Sequence, residues 1–301
     1  MRIVVALGGN ALVHTGSDSS ISEQRKAVQE TAQHLATLIE DGHEVVVTHG
    51  NGPQVGRRML ETAEAGGDTP LDVLVAETQA QIGYLLQQAL DNAVDTSEDF
   101  LTVVTQTVVE ATDEAFDDLT KPVGPFYTES EAEEKGFETR EVGDGEQRYR
   151  RVVPSPEPRD IVESEEIREM VDRGSHVICC GGGGVPVVQD GALSGVEAVV
   201  DKDRASALLA GEVDADELVI LTDVEYAYRN YGGDDEEAIE RVAVDEMEQL
   251  LDSGEFGEGN MRPKVEACIR FIRGGGERAI ITMPDTVEQA RNGETGTRVV
   301  P

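Results

Sequence analysis

Five of the 25 basic residues in this chain are lysines, set against 61 aspartates and glutamates. Three of the five, Lys121, Lys202 and Lys264, stand beside proline or aspartate in stretches of low charge, away from helical charge faces. Lysine carries a compact, mobile ammonium with three donors, able to follow a phosphoryl group in flight. Arginine's rigid fork suits static clamping instead. A solvated surface charge is the ordinary explanation of any single lysine. Where lysine has been shed almost everywhere else, the survivors point to phosphoryl transfer.

Groups that could receive the anion lie in glycine-rich turns. Gly8-Gly9-Asn10, Gly50-Asn51-Gly52 and Gly181 to Gly184 each follow an apolar run. Such turns aim backbone N–H groups and helix N-termini at a common point, which favours anions. Glycine also ends strands for purely structural reasons, so one turn alone would carry little weight. Three in one fold carry more. None matches G-x-x-x-x-G-K-S/T, and none opens a helix as G-x-G-x-x-G, so a P-loop enzyme and a dinucleotide-binding dehydrogenase both lose ground. Lys202 and Asp203 open a helix after an apolar strand, Thr222 and Asp223 end another strand, and Lys264 begins a further helix. In an open α/β sheet those positions share the carboxyl edge, where ligands collect.

The frame that positions them is legible in the hydrophobic pattern. Arg2 to Leu7 and Glu44 to Thr48 are nearly continuous apolar runs, as in strands buried on both faces. Between them, Ser20 and Glu23 form a capping box, Ala27, Thr31, Leu35, Leu38 and Ile39 make a helical stripe, and Gly42 ends it. Residues 71–90 read as a helix and Phe100 to Val109 as a strand. From about 110 to 160 periodicity fails, prolines and acidic clusters gather, and Arg148 to Arg151 form a basic patch. A structureless loop of that length is unexpected inside a compact domain, so the segment reads as an inserted subdomain or lid. The alternation then resumes: a helix over 163–173, a strand His176 to Cys180, and a hairpin of Val185 to Val188 with Val196 to Val200. A helix Asp203 to Ala210, a strand Glu217 to Thr222 and helices over 245–251 and 263–273 follow. The strand Arg278 to Thr282, a short helix over 286–291 and a strand Thr297 to Val300 complete the pattern. Strands alternating with helices predict an α/β fold with a mostly parallel sheet.

The formal net charge of -36 disfavours nucleic acid and anionic membranes as partners. With 39% hydrophobic residues the chain can still build a core. Self-repulsion of such charge is screened in molar salt, where the Debye length falls to about 3 Å. Acidic excess, scarce lysine and the lack of tryptophan together fit a salt-rich cytoplasm. Cys179, Cys180 and Cys268 form no CxxC pair and read as reduced, buried thiols. An opening strand in place of a leader and the lack of any apolar run near 18 residues predict a cytoplasmic protein.

The segments ALGGNAL (6–12), THGNGPQVG (48–56), KPVGPFY (121–127), RRVVPSPEP (150–158) and CGGGGVPVV (180–188) resemble the amino acid kinase family. GVEAVVDKDRASALLA (195–210), LVILTDVEYAY (218–228) and PKVEA (263–267) continue the resemblance in family order. The similarity lies with the branch that transfers a phosphoryl group reversibly between carbamoyl phosphate and ADP, giving carbamate and ATP. Another small-carboxylate or phosphate kinase of the same fold, or a non-catalytic metabolite sensor, is the alternative.

The resemblance implies a three-layer α/β/α sandwich of one domain, 1–301, with a mostly parallel central sheet and a protruding subdomain at about 110–160. It implies that residues to about 215 bind carbamate or carbamoyl phosphate and about 216–301 bind ADP or ATP, in a homodimer serving arginine breakdown. Many sibling kinases carry a lysine where this chain has Ala6, and Lys121 would replace it. Lys121, Lys202, Asp203 and Lys264 are the implied catalytic set, with Asp203 accepting from the two lysines of the sheet edge. Backbone N–H groups of Gly8, Gly9, Gly50 and Gly52, with Asn10 and Asn51, would hold the small anion. Lys202, Thr222, Asp223, Val224, Tyr228, Met261 and Lys264 would line the nucleotide site, and Mg²⁺ would be held mainly by phosphates and water, without a protein metal site. Asn260 and Arg262 stand where serine and glycine are usual in the family, and Tyr226 replaces a smaller residue. His49 reads as a hydrogen-bonded structural histidine rather than a substrate contact.

Overall fold

A computed structural model describes residues 1–12, 20–95, 98–143, 145–257 and 261–301. The chain begins with β1 (Arg2–Leu7), α1 (Ile21–Glu40), β2 (Glu44–His49), α2 (Gly52–Glu64) and α3 (Leu71–Ala93). It continues through β3 (Asp99–Thr102), β4 (Gln106–Val109), β5 (Lys121–Thr128), α4 (Glu129–Glu133), β6 (Thr139–Glu141) and β7 (Gln147–Val153). Next come β8 (Pro158–Ile161), α5 (Ser164–Asp172), β9 (Ser175–Ile178), β10 (Val185–Asp190), β11 (Ala192–Gly195), α6 (Lys202–Glu212) and β12 (Glu217–Leu221). The last part holds β13 (Tyr228–Arg229), β14 (Glu237–Ala238), β15 (Arg241–Ala243), α7 (Val244–Asp252), α8 (Met261–Arg273), β16 (Arg278–Thr282), α9 (Val287–Asn292) and β17 (Thr297–Val300).

Among the described residues, eight strands form the main sheet in the order β15-β17-β16-β12-β1-β2-β9-β3. All neighbours pair parallel except β16 and β17. Because successive side chains of a strand point to opposite faces, β1 feeds two cores. Val4 and Ala6 pack on one face with residues of α5, α6, α7 and α8. Ile3, Val5 and Leu7 pack on the other with α1, α3 and α9. Apolar burial on both faces explains why β1, β2 and β12 read as unbroken hydrophobic runs, and it gives the three-layer α/β/α arrangement expected.

Two expectations change. Phe100 to Val109 is not one strand: β3 joins the main sheet, whereas β4 joins a four-stranded sheet of order β11-β10-β4-β8. The break lies at Thr105, whose N–H donates to Gln79 Oε1 and whose carbonyl accepts from Gln79 Nε2, both at 3.0 Å. That buried glutamine of α3 takes the backbone out of the ladder. The predicted hairpin of Val185 to Val188 with Val196 to Val200 is displaced: β10 pairs with β11 over 187–195, before Val196. Val199 instead donates its N–H to Pro154 O, tying the approach to α6 to the end of β7.

Within the segment of broken periodicity, β5, β7 and β6 form their own antiparallel sheet. Its base is not loose. Val123 and Val153 join Val55, Leu71 and Val75 in an apolar cluster. Gly124, at φ +74°, packs tightly on α2: a Cβ there would stand 3.2 Å from the Met59 Cε. Lys121, the first residue of β5, is thereby held beside the main sheet.

Candidate active site

The strands β1, β2 and β12 end level, since Leu7 pairs with both His49 and Leu221. Gly8, Gly50 and Thr222 therefore share one edge, and a cleft of about 860 Å³ opens there. Gly8 must be glycine, because an added Cβ would lie 2.7 Å from Leu221 O. Its N–H reaches that same carbonyl at 2.9 Å, and the Gly50 N–H donates to Leu7 O at 3.2 Å. This corrects the expectation that both N–H groups face the anion: the sheet ladder runs one residue past each strand and consumes them. Gly9 and Gly52 open a 3-10 turn and α2, where first-turn N–H groups have no intrahelical acceptor. Both residues line the cleft. Asn51 lines it too, its Nδ2 donating to Thr78 Oγ1 at 3.0 Å. The side chain of Asn10 lies outside the described residues.

The third glycine turn works behind the site. Cys180 and Gly182 to Gly184 all have positive φ. A Cβ on Gly182 would fall 2.2 Å from the Asn51 amide, and one on Gly183 would fall 2.5 Å from Val200 O. Gly182 lines the cleft, and its neighbours let the Asn51 loop and the approach to α6 close together.

The cations come from three elements. Asp203, in the first turn of α6, is only 3% exposed. Its Oδ1 accepts from Lys202 Nζ, and its Oδ2 accepts from Lys264 Nζ of α8 at 3.0 Å. Asp201 caps α6, accepting from the N–H groups of Asp203 and Arg204, as its type and place before a helix favour. Its Oδ2 accepts from Lys121 Nζ at 2.8 Å. Asp201 and Asp203, at the head of α6, thus hold three lysines, one from the inserted sheet, one from α6 itself and one from α8. Burial lowers the Lys202 pKa, and the Lys264 charge adds to that while Asp203 opposes it. Burial likewise pushes His49 down to about 4, with Lys202 adding to the effect against a hydrogen bond to Gly50. The imidazole is therefore neutral near pH 7, and its Nδ1–H donates to Gly50 O at 2.9 Å. That is a structural role.

Burial alone would raise Asp201, but Lys121, Lys202 and the Arg204 N–H bring it down to about 2 from an ordinary 3.8. A carboxyl with a depressed folded pKa stabilises the fold above its unfolded value and loses that contribution as pH falls through the folded value. Asp201→Asn should therefore flatten the fall in stability between about pH 4 and 2, followed by denaturant unfolding at stepped pH. An acid limb as steep as that of the parent chain would contradict the pairing.

Comparison with known proteins places this architecture. The amino acid kinase family model matches residues 1–283. The chain belongs to the amino acid kinase family. Within that family it is 56% identical to the carbamate kinase of Halobacterium salinarum over 99% of this chain and 98% of that one. It is 48% identical to the carbamate kinase of Pyrococcus furiosus, covering all of this chain and 99% of that one. Among solved structures, the carbamate kinase of Giardia lamblia bound to AMP-PNP superposes with a TM-score of 0.93 at 41% identity, covering 99% and 98% of the two chains.

Against the family-based expectation for the nucleotide side, the cleft is selective. Thr222, Asp223, Lys202 and Lys264 line it, whereas Val224, Tyr228 and Met261 do not. Met261 starts α8 and packs on the core beneath it. Tyr228 sits in the short ladder with β14, its ring 6.0 Å from that of Tyr226. Asn260 lies outside the described residues. Asp201, Arg204 and Glu266 line the cleft without having been singled out. For Asp201 the signal was present, an N-cap acid directly before the helix of Lys202; for Glu266 there was none, since it reads as one more charge on an acidic helix.

Proposed function

We propose that this chain is a carbamate kinase, moving a phosphoryl group reversibly between carbamoyl phosphate and ADP to give carbamate and ATP. The observation that carries the reading is the gathering of Lys202 and Lys264 on one buried carboxylate, with Lys121 reaching the same helix end from the inserted sheet. In-line phosphoryl transfer asks the protein mainly for position and charge neutralisation. Asp203 holds the two sheet-edge ammoniums at fixed points without covering all their donors, since each lysine carries three. The phosphoryl oxygens would take the remaining donors as charge moves from one acceptor to the other. Lys121 would exchange Asp201 for the carbamoyl phosphate, supplying the cation that Ala6 cannot. Gly9, Gly52 and Asn51 would hold the small anion, and carbamate needs no general base because it is already an anionic nucleophile.

The nucleotide is assigned to the side of Thr222, Asp223 and Lys264, within about 216–301; that the Giardia relative was solved with AMP-PNP supports nucleotide binding itself. Mg²⁺ prefers phosphate and water oxygens with few carboxylates. Asp201, Asp203 and Glu266 already bind lysine or arginine. Asp223 is exposed and accepts from the Thr222 hydroxyl, so among these cleft carboxylates it fits a hydrated ion riding on the nucleotide. When bound, the ion would offset phosphate charge. Further parts of the proposal are a homodimer and a cytoplasmic setting. Among the described residues no helix is long and apolar enough to cross a membrane, and α1 to α3 expose Ile21, Leu60, Val73 and Tyr84.

The direct test follows ATP formation from ADP in high KCl with carbamoyl phosphate, acetyl phosphate or acetylglutamyl phosphate. Carbamoyl phosphate should be preferred by orders of magnitude; preference for another donor replaces carbamate, and binding without turnover indicates a sensor. Lys121→Ala should lower kcat by about 10- to 100-fold while ADP binding holds, in line with the loss of one charge-assisted contact. Unchanged kcat would remove Lys121 from the site.

A further inference from the structure

The wall of the cleft next to Lys264 carries charges that this mechanism leaves unused. Glu266, two residues further along α8, holds two arginines with its two oxygens. Oε2 accepts from Arg204 Nε and Nη2 at 3.2 and 2.7 Å, and Oε1 accepts from Arg262 Nε at 2.9 Å. Arg204 is fully engaged, because its Nη1 also donates to Glu157 Oε2 at 3.1 Å. Arg262 differs. Both its Nη groups are without a hydrogen-bond partner among the described residues, its side chain is 43% exposed, and it lines the cleft beside Pro263 and Lys264.

An exposed i,i+4 ion pair is ordinarily worth a few tenths of a kcal/mol and needs no function. Three facts set this one apart. Glu266 is itself pinned by Arg204, so the pair is the end of a held series rather than an isolated contact. Nε is the atom tethered, which leaves the two Nη edges of the fork presented together. That fork lies on the nucleotide side of the cleft, in a chain whose net charge of -36 otherwise disfavours polyphosphate.

We infer that Arg262 is a contact for the polyphosphate tail of the nucleotide, with Glu266 as its positioning residue. This rests on the nucleotide reading above and names a residue for it. A guanidinium fork matches a pair of phosphate oxygens, and tethering at Nε removes much of the rotamer freedom that a free arginine would lose on binding. Lys264 remains with the transferred phosphoryl group, while Arg262, two residues nearer the start of α8, takes the phosphate that stays with the nucleoside.

The experiment measures ADP and AMP binding by calorimetry in constant KCl, alongside the turnover assay. Arg262→Ala should weaken ADP about tenfold, the scale of one charge-assisted hydrogen bond in a screened setting. AMP, which lacks the outer phosphate, should bind as before. Arg262→Lys should recover part of the loss, and Glu266→Gln should weaken ADP by less than Arg262→Ala. Thermal unfolding of Arg262→Ala should match the parent, since no core contact is lost. ADP affinity unchanged in Arg262→Ala, or AMP weakened as much as ADP, overturns the inference. A parent chain that forms no ATP from carbamoyl phosphate, yet shows the ADP-specific loss, would keep Arg262 and discard the donor. Turnover with carbamoyl phosphate and unmoved ADP affinity would do the reverse. No ADP binding by the parent would end both.

Discussion

Asp203→Ala is expected to cost both activity and fold. The carboxylate side chain is 4% exposed and lies between the ammonium groups of Lys202 and Lys264, whose side chains are 14% and 9% exposed. Removing it leaves two like charges facing each other with little water, and with only Asp201, already paired with Lys121, acting on Lys202. Removing one member of a buried ionic cluster costs about 3–5 kcal/mol in general, because the charge left behind can neither be solvated nor compensated. Turnover should fall together with stability, since the lysines would repel each other away from the phosphoryl position. Asp203→Asn, equal in shape but neutral, should lie between the two on both scales. Urea unfolding and kcat, each measured in high KCl, read the effect. A variant within about 1 kcal/mol of the parent would mean that the lysines find other partners, and the account of the cluster would be wrong.

Lys264→Met should separate the two quantities. One ammonium disappears, yet Asp203 stays paired with Lys202, so no charge is left alone. The Lys202 ammonium should become harder to deprotonate, since Lys264 is one of the groups that lower its pKa. Methionine keeps an unbranched stem in the buried face of α8 beside Val265 and Cys268. Stability is therefore expected within about 1 kcal/mol of the parent, as for a volume-conserving change. Turnover should drop about a thousandfold, the lower end of what a single cation contributes to phosphoryl transfer. Steady-state kinetics paired with denaturant unfolding would show it. Near-normal kcat would take Lys264 out of the reaction and leave it as a structural counterion.

Much of the frame could be read directly because its causes are local. Apolar runs long enough to be buried on both faces predicted β1, β2, β12 and β16. The Ser20 cap and the positive φ of Gly42 bound α1 as expected. The failures sit where a group distant in the chain, side chain or backbone, claims the local backbone's hydrogen bonds. Gln79 of α3 breaks the strand drawn from Phe100 to Val109. Pro154 draws Val199 out of the hairpin. The N–H groups of Gly8 and Gly50 were expected at the ligand, but neighbouring strands claim them.

The amino-acid order by itself determined which residue types stand at the carboxyl ends of the strands, because strand length, glycine turns and helix starts depend on residues close in the chain. It also singled out Lys121, Lys202 and Lys264 through the scarcity of lysine. Only the tertiary structure decided their company. Lys264 meets Asp203 across 61 positions and Lys121 meets Asp201 across 80. Glu266 was selected by no pattern at all. Contacts of that span arise from the stacking of two helices on one face of the sheet and from the docking of an inserted sheet on α2. No local periodicity encodes them.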